Sequence, residues 1–362
     1  MVFKSAQYGN VLVLDGVIQL TERDEFAYHE MMVHVPLCTH IAHCQSSRGA
    51  PRSQLPLDVL IVGGGDGCAL REVLKYDSSI VRKITIVEID PVVVHVSKTY
   101  FASILHHSSG SGSVFDDPRV ELVHADAADY LEQQASNIHV TGGLYDIVVG
   151  DMLDPACGPA ISLFEPSFYE AVYTVLRPNG IICIQAECFW IHLELISDLI
   201  HCCNEIFHPE THNGNSHHKK NAVEYATTMV PTYPCGQIGF LLTRKPASDP
   251  AEQTDGPLSC RHPFYRPNFL KTLKWYSPEM HKSAFTLPPF VLQQLGLHQQ
   301  APQQLLNGNG AHQMDDASTG SDVYKFGDAA AERLFTDLVD DEGDDEDDYR
   351  CFLDSLGECT IL

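Results

Sequence analysis

Short apolar runs and amphipathic segments alternate through the middle of the chain. The apolar runs predict strands at 58–62, 84–88, 119–123, 145–149 and 181–185. The amphipathic segments predict helices at 67–76, 91–101, 127–135 and 166–177, and a further helix within 190–207. Two later apolar runs, 223–230 and 237–243, read as an antiparallel pair. This order predicts an α/β domain whose mostly parallel sheet is covered by helices on both faces.

The pattern divides the chain into three regions. Residues 1–44 read as an N-terminal β-strand region, in which a hairpin over residues 10–20 turns at Asp15-Gly16. Residues 45–297 carry the strand–helix alternation and form the predicted main domain. Residues 298–362 are of low complexity and include the acidic block "DDEGDDEDD", so we expect this tail to be mostly disordered.

The first strand of the alternating region leads into a glycine loop, "VGGGDG", before the next helix. Glycine loops at this position usually bind a nucleotide phosphate at the start of the helix. Here Asp66 lies inside the loop, and its carboxylate would repel a phosphate. The loop therefore indicates a nucleoside that lacks phosphates and carries positive charge.

Further acidic residues follow the later strands. An aspartate at such a junction is most often only a helix N-cap. Because the carboxyl ends of parallel strands share one edge, however, these acids are expected to lie along the same rim as Asp66. The group comprises Glu88, Asp126, Asp151 and Asp154. A carboxylate about 20 residues beyond a glycine loop, as Glu88 is, commonly binds ribose hydroxyls.

A second cationic ligand is indicated near the last two of these acids. Carboxylates beside aromatic walls are a common way to hold an amine, and the aromatic candidates here are Tyr28, Trp190 and Tyr233.

Composition narrows the function further. The net charge of the 362 residues is −25, and the segment from residue 301 onward contributes −13 of it. An acidic surface disfavours nucleic-acid binding. No apolar run is long enough for a transmembrane segment, and the start of the chain lacks the apolar core of a secretory signal, so we expect a cytoplasmic protein. The spacing of the 12 cysteines and the clustering of the 19 histidines in loops do not indicate a metal site.

Several long motifs resemble the spermidine synthase family of aminopropyltransferases. They include "YGNVLVLDGVIQLTERDEFAYHEMM", "VLIVGGGDGCALREVLKY" and "PTYPCGQIGF", and the resemblance covers roughly residues 5–295. It implies a Rossmann-like, methyltransferase-type fold and the transfer of an aminopropyl group from decarboxylated S-adenosylmethionine to putrescine. It implies no further cofactor and no metal. It also implies a homodimer.

The resemblance assigns roles to individual positions. It implies that Asp151 is the catalytic base and that Asp66 pairs with the ammonium of the nucleoside. The remaining nucleoside contacts that it implies are Gln19, Gly63, Gly65, Glu88, Asp126 and Ala127. The implied amine contacts are Tyr28, Asp154, Gln185 and Tyr233.

The chain departs from the family pattern at three places. Met152 and Leu153 stand where the family usually has two serines, Cys68 replaces the glycine that closes the loop, and the N-terminal strand region is expected to be shortened. These departures keep two alternatives open: an enzyme that acts on another amine or as a methyltransferase, and a non-catalytic regulatory homologue. We expect the side chain of Cys68 to crowd the nucleoside.

Overall fold

A computed structural model of the chain describes residues 1–46, 55–106, 112–138, 145–152, 158–207, 223–247, 260–261, 265–297 and 360–361. All of these residues belong to one compact unit. Most of the tail expected to be disordered, residues 298–362, lies outside the described residues, as do Leu153 and Asp154. The prediction does not hold for residues 360–361, which the structure describes as a short strand.

The N-terminal region forms a small antiparallel sheet. Its strands are β1 (Val2–Ser5), β2 (Gly9–Leu14) and β3 (Val17–Thr21). The predicted turn is confirmed, because Asp15 and Gly16 both have positive φ angles, 49° and 84°, as a tight two-residue hairpin requires. β11 (Thr360–Ile361) pairs antiparallel with β1 at the other edge of this sheet.

Helix α1 (Glu25–Ser46) occupies most of the remaining N-terminal region. The prediction of a β-strand region over 1–44 therefore applies only to residues 2–21 of the structure. The helix was missed because side chains all around its circumference are buried, which leaves no amphipathic stripe for the sequence to display.

The central sheet has seven strands in the spatial order β6-β5-β4-β7-β8-β10-β9. The first five are parallel, and β8, β10 and β9 pair antiparallel. Its strands are β4 (Leu57–Gly63), β5 (Val81–Val87), β6 (Val120–Val123), β7 (Tyr145–Asp151), β8 (Leu176–Gln185), β9 (Glu224–Met229) and β10 (Gln237–Arg244). The predicted sheet class is confirmed, and so is the antiparallel pair at its edge.

Helices cover both faces of the sheet. They are α2 (Cys68–Leu74), α3 (Pro91–Tyr100), α4 (Ala127–Ser136), α5 (Pro166–Val175), α6 (Leu193–Phe207), α7 (Pro278–Ala284) and α8 (Pro289–Gln294). One core packs α1 and α2 against one face of the sheet, and a second core packs α4, α5 and α6 against the other. The strands between them bury apolar side chains on both faces, which is why they read as continuous apolar runs.

Candidate active site

The loop after β4 requires glycine for two physical reasons. Gly63 has a φ of +73°, and a Cβ there would lie 2.1 Å from the main-chain oxygen of Asp151. At Gly65 a Cβ would lie 2.7 Å from the side chain of Glu88. The amide of Gly64 donates to the same Asp151 oxygen at 3.1 Å. The loop is thus fastened to the tip of β7, which brings Asp66 and Asp151 together.

Glu88 is held at the tip of β5 by two backbone amides. Gly65 donates to one of its carboxylate oxygens at 3.0 Å, and Asp90 donates to the other at 2.8 Å. Burial raises the pKa of Glu88 above its ordinary value. The side chain is therefore fixed at the cavity wall.

Asp126 both caps a helix and lines the cavity. It is the N-cap of α4, where its side chain accepts from the amides of Ala128 and Asp129. Asp126 and Ala127 also line the cavity. The N-cap interpretation is correct for Asp126, and it does not exclude contact with a ligand.

Asp66 and Asp151 are joined by His29. The Nε2 atom of His29 lies 3.4 Å from Oδ2 of Asp66 and 3.8 Å from Oδ2 of Asp151. Burial lowers the pKa of His29, but the neighbouring carboxylates, Asp66 above all, raise it well above the ordinary histidine value. Burial raises the pKa of Asp66, but His29 outweighs burial and holds that pKa below its ordinary value. The site thus holds a protonated imidazole and the Asp66 carboxylate.

Asp151 has the opposite shift. Burial, followed by the charge of Asp66, raises the pKa of Asp151 to about 6, although His29 and Tyr28 oppose this. The Tyr28 hydroxyl donates to Oδ1 of Asp151 at 2.9 Å. Burial and the Asp151 carboxylate raise the pKa of Tyr28 well above its ordinary value, so Tyr28 remains a hydrogen-bond donor. A carboxyl group with a pKa near 6 is suited to accept a proton near neutral pH.

Aromatic and polar side chains form the cavity wall beyond Asp151. The rings of Tyr28 and Tyr233 lie 5.7 Å apart, and the Tyr233 hydroxyl donates to the main-chain oxygen of Gln19 at 3.3 Å. Nε2 of Gln185 donates to Oε1 of Glu187 at 3.2 Å. Oε2 of that glutamate lies 3.1 Å from Nδ1 of His192. This part of the cavity combines aromatic rings with a buried carboxylate.

The described residues that the sequence proposed for the site line one cavity of about 690 Å³. These residues are Gln19, Tyr28, Gly63, Gly65, Asp66, Glu88, Asp126, Ala127, Asp151, Gln185 and Tyr233. Asp154 lies outside the described residues. Trp190, which the sequence suggested as an aromatic wall, is 62% exposed and is not among the lining residues.

Sequence reasoning missed two buried polar residues that line the cavity. His29 follows Tyr28 on α1, four residues after Glu25. Its position in the cavity could have been predicted only if the buried helix α1 had been predicted first. Glu187 lies two residues beyond Gln185 and has a φ of +57°. The strand-tip argument that found Asp151 would also have found Glu187, had it been extended past the end of β8.

The departures at Cys68 and Met152 have different consequences. Cys68 is fully buried in the core, and it is not among the lining residues, so the prediction that its side chain crowds the nucleoside is wrong. The reason is that Cys68 begins α2 and its side chain packs in the core below the loop. Met152 lines the cavity and also packs into the second core.

The fold and the cavity together define a class. A methyltransferase-like sheet with an acidic site at its carboxyl edge, where Asp66 would repel a phosphate, fits a transferase that uses a nucleoside co-substrate. The comparisons with known proteins narrow this class. A family model described as the spermine/spermidine synthase domain matches residues 25–252. A second, described as the spermidine synthase tetramerisation domain, matches residues 1–22.

Individual relatives agree with the family models. The chain is 42% identical to a spermidine synthase of Coffea arabica over 299 residues, which is 80% of this chain and 79% of the relative. It is 40% identical to a spermine synthase of Arabidopsis thaliana, over 80% of this chain and 69% of that one. A solved spermidine synthase in complex with the transition-state analogue AdoDATO superposes with a TM-score of 0.62 at 30% identity, covering 82% of this chain and 84% of that chain.

The chain belongs to the spermine/spermidine synthase family. It is a transferase of the aminopropyltransferase class. Among the described residues, no helix combines the length and the apolar character needed to cross a bilayer.

Proposed function

We propose that the protein transfers the aminopropyl group of decarboxylated S-adenosylmethionine to putrescine, giving spermidine and methylthioadenosine. The observation that carries this proposal is the convergence of Asp66 and Asp151 in one cavity. The two carboxylates offer counter-charges for two cationic substrates that must meet there. No further cofactor is needed, because the sulfonium supplies its own leaving group.

The nucleoside lies along the tips of β4, β5 and β6 in this proposal. Glu88 accepts the ribose hydroxyls, and Asp126 with Ala127 contacts the adenine. Gly63 and Gly65 let the backbone approach closely, and Gln19 reaches the nucleoside from β3. These residues all line the cavity.

Asp66 selects the decarboxylated co-substrate. Ordinary S-adenosylmethionine carries a carboxylate on the side chain that the decarboxylated form lacks. The Asp66 carboxylate repels that group and pairs with the ammonium that both forms carry.

Asp151 prepares the attacking amine. A primary amine has a pKa of roughly 10, so putrescine arrives protonated and is not a nucleophile. Asp151 accepts one proton, and the freed amine attacks the methylene carbon next to the sulfonium. The new C–N bond forms as the C–S bond breaks, and its electron pair leaves on the neutral thioether of methylthioadenosine. Tyr28 and Tyr233 flank this amine, while Gln185 and Asp154 hold the diamine.

Spermidine is the second candidate acceptor, because one of the similar proteins is a spermine synthase. A non-catalytic homologue is disfavoured by the retained Asp66, Asp151 and Tyr28. Met152 and Leu153 suggest a third candidate, an enzyme that acts on another amine. Testing which amine accepts the aminopropyl group distinguishes this candidate from the other two.

The deciding experiment measures methylthioadenosine formed by the purified full-length chain. The donor is decarboxylated S-adenosylmethionine, and the acceptor is putrescine, spermidine or a longer diamine. We expect turnover with putrescine, and a fall in kcat of about 10²–10⁴-fold in Asp151→Asn. The variant should still bind methylthioadenosine, which shows that its site has folded. Absence of product with every amine would contradict the proposal, and preference for spermidine would reassign the acceptor.

We also propose that the chain acts as an oligomer in the cytoplasm. The match of residues 1–22 to a tetramerisation domain supports assembly through the N-terminal sheet. The homodimer implied by the sequence resemblance and a tetramer are distinguished by light scattering of the purified chain.

A further inference from the structure

Three side chains that line the cavity bring one polar atom each close together. The atoms are Nε2 of His29, Oδ2 of Asp66 and Oδ2 of Asp151, and they all lie within 4.8 Å of one another. Oδ2 of Asp151 is buried, and it accepts no hydrogen bond from the residues that the structure describes. One imidazole nitrogen and two carboxylate oxygens form a donor set that zinc accepts.

The other polar atom of each side chain is already fixed by the protein. Nδ1 of His29 faces the main-chain oxygen of Glu25 at 2.8 Å and its carboxylate at 3.1 Å. Oδ1 of Asp66 accepts from the amide of Cys68 at 2.8 Å. Oδ1 of Asp151 accepts from Tyr28 at 2.9 Å. Outer hydrogen bonds of this kind orient metal ligands and fix which nitrogen of a histidine faces the metal.

The spacing also suits a four-coordinate ion. At the usual zinc–nitrogen and zinc–oxygen bond lengths, ligand atoms at the corners of a tetrahedron lie about 3.3–3.5 Å apart. The measured distances from His29 are 3.4 Å to Asp66 and 3.8 Å to Asp151. The cavity of about 690 Å³ adjoins all three side chains and leaves room for water as a fourth ligand.

We propose that the substrate-free protein binds one divalent transition-metal ion, with zinc as the best-fitting ion, through His29, Asp66 and Asp151. Coordination needs the neutral imidazole, so the proton on Nε2 leaves to solvent as the ion binds. The ion occupies the position where a substrate ammonium would pair with Asp66. Zinc is therefore an inhibitor that competes with a cationic co-substrate.

The proposal stands apart from aminopropyl transfer, because the ion binds in the absence of any substrate. Zinc binding is measured by equilibrium dialysis of the chelator-treated full-length chain against zinc chloride. The chain has 19 histidines and 12 cysteines, so total zinc uptake is not diagnostic. The readout is the difference between wild type and His29→Gln.

The matched control is His201→Gln. His201 also lies beside a carboxylate, with its Nε2 3.3 Å from Oε1 of Glu205, but the pair is half-exposed on α6 and neither residue is among those that line the cavity. We expect His29→Gln to lose one zinc equivalent, and His201→Gln to keep it. Asp151→Asn serves as a second variant if His29→Gln does not fold, and its zinc affinity should fall at least about tenfold.

Competition supplies an independent readout. Decarboxylated S-adenosylmethionine should displace the same equivalent, whereas methylthioadenosine, which has no ammonium, should displace it much less. Equal zinc binding by wild type and by folded His29→Gln and Asp151→Asn would overturn the proposal. Zinc uptake that only the control variant reduces would also overturn it.

Discussion

At the scale of single residues, the ionisation of the buried Asp151 carboxyl sets the pH range of the site. Asp151 must be ionised to accept a proton from the amine, and its pKa is raised to about 6. His29, whose pKa lies well above the ordinary histidine value, stays cationic through that range. We therefore expect kcat/KM to fall below about pH 6 as Asp151 becomes protonated.

Tyr28→Phe tests this assignment. The hydroxyl donates to the ionised form of Asp151 and stabilises it, so its loss raises the pKa. A hydrogen bond to a charged group contributes about 1.5–3 kcal/mol, which corresponds to a shift of about one pH unit or more. The acidic limb of the pH–rate profile should move upward by that amount.

Tyr233→Phe is the control for Tyr28→Phe, because its hydroxyl donates to Gln19 rather than to Asp151. Its acidic limb should stay in place even if KM changes. An unmoved limb in Tyr28→Phe would assign the limb to another group.

Asp66→Asn tests how the co-substrate is selected. Asparagine keeps the size of the side chain and removes the charge that repels a substrate carboxylate. We expect the preference for decarboxylated over ordinary S-adenosylmethionine to fall by about 10- to 100-fold, the effect of 1–3 kcal/mol. Competition binding of the two nucleosides measures this.

Asp126→Asn is the matched control, because asparagine is an equally good N-cap for α4. Its selectivity should be unchanged. Equal preference changes in both variants would mean that overall negative charge, and not Asp66, selects the nucleoside.

The sequence located most of the site because strand tips are visible in it. Asp66, Glu88, Asp126 and Asp151 each follow an apolar run, and parallel strands bring such positions to one edge. His29 was not found, because its position depends on a helix packed across the sheet and on no local pattern. The same limit explains Cys68, since packing decides which way the first residue of α2 faces.

At the scale of elements, the loop after β4 couples the nucleoside region to the catalytic strand. Gly63→Ala would place a Cβ 2.1 Å from the main-chain oxygen of Asp151, and the residue would keep a φ of +73°. Neither backbone segment can yield easily, because β4 and β7 are central strands of the sheet. We expect a loss of about 3 kcal/mol or more in the free energy of unfolding.

Gly16→Ala separates the clash from the backbone strain. Gly16 has a φ of +84°, but a Cβ there would meet no atom of the described residues within 4 Å. Gly16→Ala should therefore lower the free energy of unfolding only by the strain of an alanine in the left-handed region, about 1–2 kcal/mol. Urea denaturation at one protein concentration compares the free energies of unfolding of Gly63→Ala and Gly16→Ala. If both variants lose a similar amount, the backbones of β4 and β7 can move apart to accommodate the added Cβ.

The regular elements of the sheet were predictable, and α1 was not. Strands β4 to β8 are mostly apolar runs flanked by amphipathic helices, which is the pattern of a sheet buried on both faces. Helix α1 buries His34 and His40 as well as apolar side chains, so neither hydrophobicity nor period marked it. Its structure depends on α2 and on strands β7 to β10, with which it is in contact.

At the scale of the whole molecule, α1 joins the cavity to the segment that follows the sheet. Tyr28 and His29 face the cavity, and the next residue, Glu30, is buried on another side of the helix. Its carboxylate accepts from the backbone amides of Lys274, Trp275 and Tyr276 at 3.0, 2.8 and 2.8 Å. One side chain thus ties three consecutive backbone amides of the segment 265–297 to α1.

Glu30→Gln should weaken this attachment. The amide keeps one good acceptor and places a donor beside backbone amides that are themselves donors, so at least one of them loses its partner. We expect the free energy of unfolding to fall by about 2–4 kcal/mol. Glu279→Gln, on the exposed first turn of α7 in the same segment, is the control and should change stability little. Thermal and urea unfolding at a fixed protein concentration measure both variants. Equal stability of Glu30→Gln and the wild type would mean that apolar packing of Tyr276 and Phe285 alone holds the segment in place.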